Sequence, residues 1–414
     1  MTVLLSYYNR IILPIMSLLS QKINKHLERN FTAFHSPAHA GKLNPRDLTE
    51  LDGLDDLQYP EEVLKESQEF VAELFGAKKS FFLVNGASVG MQAACISLKI
   101  YLNSINDKRP VLVARNVHKS VIAGIILAGL EIEWLEPEWR EDLGIYAAVI
   151  ASSHASLATG SAKQSSMEGK YSALIITNPS YEGFYSEIPQ LNIPLIVDEA
   201  HGAHCHFSDQ LPEPALAYGA DVVVQSWHKT LGSLGQTGVL HVNKASKIPE
   251  NFIQDALRLL QTTSPSYLLM ESITNTAELY AERGIEIVER TIELSKMIEL
   301  PNRVKNDDPY RLLIKGPGHE IESLLKENNI LIEAAGTNYA LAFINPGNDM
   351  DDISKLNGQR SRVNGLIENY QTKSITRPEK LTANACLRDA FFSGDTEIYA
   401  PCPPGIAVRL PGQG

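Results

Sequence analysis

The sequence predicts an α/β fold, with a large domain built on a mostly parallel sheet and a small α+β domain behind it. Three observations predict it. From residue 70 to 242, short apolar runs alternate with stretches of helical length, the pattern of strands whose connecting helices cover both faces of a sheet. After about residue 262 that alternation stops, and a long helical pattern leads into short strand–helix–strand segments. Finally, the unusual polar residues collect at the ends of the apolar runs, where an open parallel sheet binds its ligands.

Taken in order, residues 1–45 read as an N-terminal helix and arm. The apolar run "IILPIMSLL" is too short to span a bilayer, and no small-residue cleavage site follows it. Ile15, Leu18, Leu19, Ile23 and Leu27 fall at helical spacing, so we read an amphipathic helix that packs on its own or a partner subunit rather than a signal peptide. Residues 46–265 form the large domain. Its strands are "SFFLVNG", "PVLVARNVH", "EIEWLEP", "SALIITNPS", "PLIVDEAHG", "DVVVQSWHK" and "TGVLHVN", with helices over 87–103 and 118–129. Residues 266–300 read as one or two connecting helices. Residues 301–414 form the small domain, with strands at "YRLLIKG", "ILIEAAG" and "YALAFINPG", a helix over "GHEIESLLKENN", and the Pro- and Gly-punctuated close "APCPPGIAVRLPGQG".

Composition narrows the function classes. The 414 residues are 44% apolar, enough for a substantial core, and carry a net charge of −12, which speaks against nucleic acid as a partner. Four scattered cysteines without a CxxC pair fit a reduced, cytoplasmic protein with no membrane role.

The ends of five runs deliver the chemistry. They supply Asn85, Gly86, Ala87 and Ser88; His118; Asn178; Asp198 and His201; and Ser226, His228 and Lys229. One shared ligand accounts for all five. A Gly-containing strand-to-helix turn with a hydroxyl presents backbone N–H groups to a phosphate. A carboxylate at a buried strand end suits a protonated ring nitrogen. A lysine among small or polar residues can act as an uncharged nucleophile and form a Schiff base. Phosphate cradle, pyridinium partner and imine-forming lysine together describe pyridoxal phosphate.

The stretch "PLIVDEAHGAHCHF" invites two other readings. A helicase DEAH box requires a preceding GxxxxGK[ST] loop, and "NGASVG" lacks its lysine. His201, His204, Cys205 and His206 are of zinc-binding type, but adjacent residues on one element point apart, so no metal is expected.

At these residues the chain resembles the fold type I pyridoxal-phosphate decarboxylases of ornithine, lysine and arginine, in a short form without an N-terminal receiver-like wing domain. The segments that carry the resemblance run from "LTELDGLDDLQYPEEVLKESQEFVAELFGAKKSFFLVNGASVG" through "RNVHKSV", "VDEAHGAH" and "VVQSWHKTL" to "LLQTTSPSYLLM", with "CPPGIAVRLPG" near the end. The resemblance implies an aspartate-aminotransferase-like fold. It also implies decarboxylation of a basic amino acid to the polyamine-pathway amine: putrescine, cadaverine or agmatine. Lys229 would hold the cofactor, Asp198 would keep its ring nitrogen protonated, and His118 would stack on the ring. Ser88, the backbone around Ala87, Ser226 and His228 would bind the phosphate. Thr262, Thr263 or Ser264 would approach it from a second subunit of a homodimer or larger homo-oligomer. His201 is a candidate neighbour of ring or substrate, and His228 or Lys229 a proton donor to Cα. The chain departs from the family at "HSPAHAGK", where Ala38 and Ala40 replace a glycine and a lysine, and in a shortened segment after "DAFFSGDTEIY".

A basic substrate also requires a distal anion, for which Glu50, Asp55, Asp56 and Glu333 are candidates. Two alternatives stay open at this point. An aminotransferase would need a late arginine as a carboxylate clamp, with Arg388 and Arg409 as candidates. An inactive regulatory relative would keep the fold without turnover.

Overall fold

A computed structural model describes residues 16–29, 31–149, 167–188, 190–378, 387–394, 400, 405–407 and 410. Helix α1 (Leu18–Glu28) starts at Ser17, whose hydroxyl accepts the N–H of Ser20. Leu19 and Ile23 are fully buried on α2 (Val63–Leu74) and α7 (Tyr267–Lys296), so the stripe read from sequence packs within this chain. Ile15 lies outside the described residues. An ion pair from Arg46 to Glu271 ties the arm to α7.

The large domain holds β1 (Lys79–Leu83), β2 (Val111–Ala114), β3 (Ile132–Leu135), the hairpin β4 (Trp139–Arg140) and β5 (Ile145–Tyr146), β6 (Ala173–Thr177), β7 (Leu195–Asp198), β8 (Val222–Gln225) and β9 (Gly238–Val242). Seven of these form one sheet in the order β1-β9-β8-β7-β6-β2-β3, in which β9 alone runs antiparallel to its neighbours. The central strands are apolar on both faces because helices cover both sides. Leu195 to Val197 and Val222 to Val224 are at most 4% exposed, and each such side chain contributes about 1.5–3 kcal/mol on burial. Among those helices, α3 (Gly86–Ser104), α4 (Lys119–Ala128) and α6 (Glu250–Leu260) pack tightly. A Cβ at Gly124 on α4 would meet Cys95 Sγ at 2.8 Å, so glycine sets how closely α3 and α4 approach.

The connecting region is a single helix, α7, of 30 residues. In the small domain, β10 (Arg311–Lys315), β12 (Tyr339–Phe343) and β11 (Ala334–Ala335) form an antiparallel sheet under α8 (Gly318–Glu327), α9 (Met350–Asn357) and α10 (Arg360–Glu368). Of the expected strand "ILIEAAG" only two residues pair, since Leu331 points to solvent and is 82% exposed. The domain boundary expected at 301 covers too much. Helix α11 (Leu387–Phe392) packs on α4, and Ala407 and Leu410 belong to the large-domain core. The tail is drawn there by backbone pairing, with Ile406 bridging His118 and the Lys119 N–H donating to Gly405 O at 2.8 Å. Among the described residues, no helix is long and apolar enough to cross a membrane.

Candidate active site

Each parallel strand hands one group to a common cavity. After β1, Gly86 takes φ +74°, which turns the chain into α3 and aims the first N–H groups of a 19-residue helix at the cavity beside Ala87 and Ser88. After β2, His118 caps α4: its Nδ1 accepts the N–H of Ser120 at 3.1 Å, which leaves the ring proton on Nε2. Burial, then the neighbouring Lys229 and Lys119, push its pKa down to about 4, so the ring is neutral at pH 7. Gly405 closes behind it, with 2.7 Å between an added Cβ and the imidazole.

Asp198 ends β7, with Thr177 of β6 and Val224 of β8 as its sheet partners. It is 3% exposed, and its Oδ1 accepts the Ala200 N–H at 3.2 Å. Burial pushes its carboxyl upward, while Lys229 as an ammonium and the Ala200 N–H pull the other way. After β8, Ser226 is buried and α5 (Trp227–Thr230) carries His228 and Lys229. His228 donates its Nδ1–H to Thr237 O at 3.0 Å. Lys229 Nζ lies 3.1 Å from His201 Nε2.

The predicted Ala87, Ser88, His118, Asp198, His201, Ser226, His228 and Lys229 therefore line one cavity of ≈200 Å³. It adjoins a space of ≈530 Å³ bounded by Tyr181, Glu333 and Phe343. A third cavity of ≈290 Å³, beside β1 at Phe82 and Arg258, holds none of these groups.

Other expectations need correction. Asn178 does not serve the cavity. Its Nδ2 donates to Tyr218 OH and its Oδ1 accepts the Ser186 N–H, so the side chain braces the loop after β6. Asn85 is spent on the Thr262 N–H. Thr262 is half-buried, Thr263 and Ser264 are exposed, and none of them lines this chain's own cavity, which leaves untouched the expectation that they approach the phosphate of a second subunit. Among the candidate distal anions, only Glu333 borders the cavity, where Tyr181 OH donates to it at 2.6 Å. Asp55 instead accepts the N–H groups of Glu61, Glu62 and Leu64 and caps α2, Asp56 accepts that of Gln58, and Glu50 accepts from Thr49. The four residues of zinc-binding type part company: His204 faces Asp308, Cys205 meets Tyr185 and His206 stacks on Phe75. Among the described residues, no cluster suits a metal.

Sequence reasoning missed Arg311, the first residue of β10. Fully buried, it donates from Nη2 to His201 Nδ1 at 2.9 Å and lies 3.9 Å over the Phe343 ring. It also overturns the claim that Arg388 and Arg409 are the late arginines to consider. Arg388 sits against Gly129 at the end of α4, and Arg409 lies outside the described residues.

The cavity fits pyridoxal phosphate on two observations. Asn116 Oδ1 and Thr177 Oγ1 line it, buried and without hydrogen-bond partners. A buried carboxylate next to an amine is also what a protonated pyridine and an aldehyde require of a site.

The sequence matches the family model "Orn/Lys/Arg decarboxylase, major domain" over residues 19–315. It is 27% identical to an arginine decarboxylase of Bacillus subtilis (strain 168), with 94% of this chain and 89% of that protein covered. It is 30% identical to an arginine decarboxylase of Bacillus cereus, with 94% and 95% covered. The fold is similar to that of the constitutive lysine decarboxylase of E. coli, with TM-score 0.73 and 18% identity over 97% of this chain and 75% of that one. A ureidoglycine–glyoxylate aminotransferase of Bacillus subtilis matches with TM-score 0.54 and 16% identity over 74% of this chain and 86% of that one.

Proposed function

This chain belongs to the Orn/Lys/Arg decarboxylase family and is a pyridoxal-phosphate-dependent decarboxylase; from that premise we propose that it decarboxylates a basic amino acid, arginine foremost, to the corresponding amine and carbon dioxide. The observation that carries the reading is that Lys229 and Asp198 face one cavity from adjacent strand ends. Arginine is favoured because relatives matching 94% of the chain in sequence are named arginine decarboxylases, whereas the constitutive lysine decarboxylase of E. coli, similar in fold over 97% of the chain, matches 55% of it in sequence.

When bound, pyridoxal phosphate supplies the electron sink for the pair released as the bond from Cα to the carboxylate breaks. The protein holds and orients. Lys229 supplies the amine that anchors the cofactor and yields to the substrate amine. Asp198 keeps the ring nitrogen protonated from a buried strand end. Neutral His118 presents a flat face, and Ser88, the Ala87 backbone, Ser226 and His228 hold the phosphate. With its Nδ1–H held by Thr237 O, His228 meets the phosphate or Cα only through Nε2. That nitrogen must first take up a proton before it can donate one, so Lys229 is the more direct proton carrier toward Cα. Glu333, steadied by Tyr181, receives the distal cation. Thr262, Thr263 and Ser264 serve the cavity of a second subunit in a homodimer.

Transamination finds little support. Arg311, the small-domain arginine in contact with His201, is fully buried and lines neither the cofactor cavity nor the adjoining space, so it is not placed to clamp a substrate carboxylate.

The test is to load the chain with pyridoxal phosphate and measure carbon dioxide from arginine, lysine and ornithine in parallel with keto-acid formation. We expect carbon dioxide, most rapidly from arginine, and loss of both activity and the visible absorbance band in Lys229→Ala. Keto acid without carbon dioxide would establish an aminotransferase. A wild type that forms no band would establish an inactive relative.

A further inference from the structure

His201 stands between two nitrogen donors. Arg311 Nη2 lies 2.9 Å from Nδ1 and Lys229 Nζ lies 3.1 Å from Nε2. A neutral imidazole offers one acceptor and one N–H, so the ring accepts from one neighbour only and must donate to the other. The two neighbours are not equivalent: a guanidinium keeps its protons in any protein, whereas a lysine ammonium gives one up readily when buried. Arg311 is moreover locked. It is 0% exposed, faces Asp308 Oδ2 at 3.9 Å and stacks on Phe343. Nδ1 is therefore the acceptor, the ring proton sits on Nε2, and that N–H points at a lysine nitrogen that has a lone pair only when uncharged.

We propose that Arg311 is a positioning residue which, by occupying Nδ1 of His201, fixes the Nε2–H tautomer and so holds Lys229 as the neutral amine. The small domain thereby controls the nucleophile of the large one. The surroundings agree. Burial, with the permanently charged guanidinium of Arg311 beside the ring, keeps His201 from becoming an imidazolium, and the Tyr181 and Phe343 rings pack edge-on to it. Asp198 is close enough to feel the charge of Lys229, and with the lysine neutral that carboxylate is left for a cation brought by the cofactor.

The inference rests on Lys229 being the imine-forming amine, and its test is made on the full chain before cofactor or substrate is added, so it can fail while the decarboxylase reading stands. In ¹⁵N spectra of the histidine rings, with His201 assigned by its loss in His201→Gln, wild type is expected to show Nδ1 unprotonated and Nε2 protonated from pH 6 to 9. A protonated Nδ1 would overturn the proposal. Pulse acetylation of Lys229, read by peptide mass against pH, is expected to move its midpoint upward by a unit or more in Arg311→Met. That corresponds to about tenfold less labelling below the midpoint. Arg311→Lys should keep the wild-type midpoint. In His201→Phe the Arg311→Met shift should vanish, because the effect passes through the ring. An equal shift in that background would mean a direct field effect and would sink the relay. Should Arg311→Met fail to fold, the wild-type spectrum decides alone.

Discussion

At the scale of single residues, the legible part of the site is what closes an apolar run. Asp198 closes a buried strand and Lys229 sits on the helical turn just beyond another, so the alternation that reveals the strand also points to the residue. Asn178 occupies the same kind of position and misled, because the loop beyond it folds back and Ser186 and Tyr218 claim its amide. Arg311 carried no signal at all. It reads as the polar first residue of an ordinary strand, and its partner His201 is 110 positions away. Two outcomes belong here. Asp198→Asn should fold and bind cofactor yet lose turnover by roughly 10²–10³-fold, the loss typical of removing a preorganised charge at the reacting centre; single-turnover kinetics measures it. Glu333→Gln should raise KM for the basic substrate by about tenfold with a smaller change in kcat, since a distal anchor binds ground and transition states alike.

Among the elements, strands and helices of the large domain were readable because their periods are pure. The helices expected over 87–103 and 118–129 form at Gly86–Ser104 and Lys119–Ala128. What sequence could not show is that Asp55 is consumed by a helix start. Its carboxylate accepts from Glu61, Glu62, Leu64 and Lys65 around the first turn of α2. Burial pushes the carboxyl up, but the backbone N–H groups of Glu61, Asp56, Glu62 and Leu64 outweigh it and hold the pKa below the ordinary value. A depressed folded pKa stabilises above the unfolded one and fades as pH falls through the folded one. Asp55→Ala should therefore cost about 1–2 kcal/mol at pH 7, the range for a lost cap, and progressively less in acid below about pH 4. Urea melts across that range measure it, and KM for arginine should stay as in wild type.

For the molecule as a whole, the plan of a large α/β domain with a small α+β domain was legible and its closure was not. The C-terminal tail carries the composition of a loop, and only backbone pairing at His118 and Ile406 reveals that it completes the large domain. Thr263 and Ser264 are exposed and absent from their own chain's cavity, an arrangement that makes sense in an assembly where they face a neighbour's phosphate. Sedimentation of the loaded enzyme should accordingly give at least a dimer, and Thr263→Glu should weaken cofactor retention about tenfold by placing an anion beside an anion. A fully active monomer would remove the second-subunit role of residues 262–264.

The wall behind His118 comes from residues far downstream of the rest of the site. A ribosome releases the chain from its N-terminal end, so the strands, the lysine and the buried carboxylate all emerge while the imidazole still lacks its backing at Gly405 and Ile406. Until Gly405 and Ile406 pair with Lys119 and His118, the cradle is open at the back, so firm cofactor retention is expected to depend on the pairing. Cleavage between residue 394 and Gly405 is expected to loosen cofactor retention, and it would also take Ala407 and Leu410 out of the large-domain core.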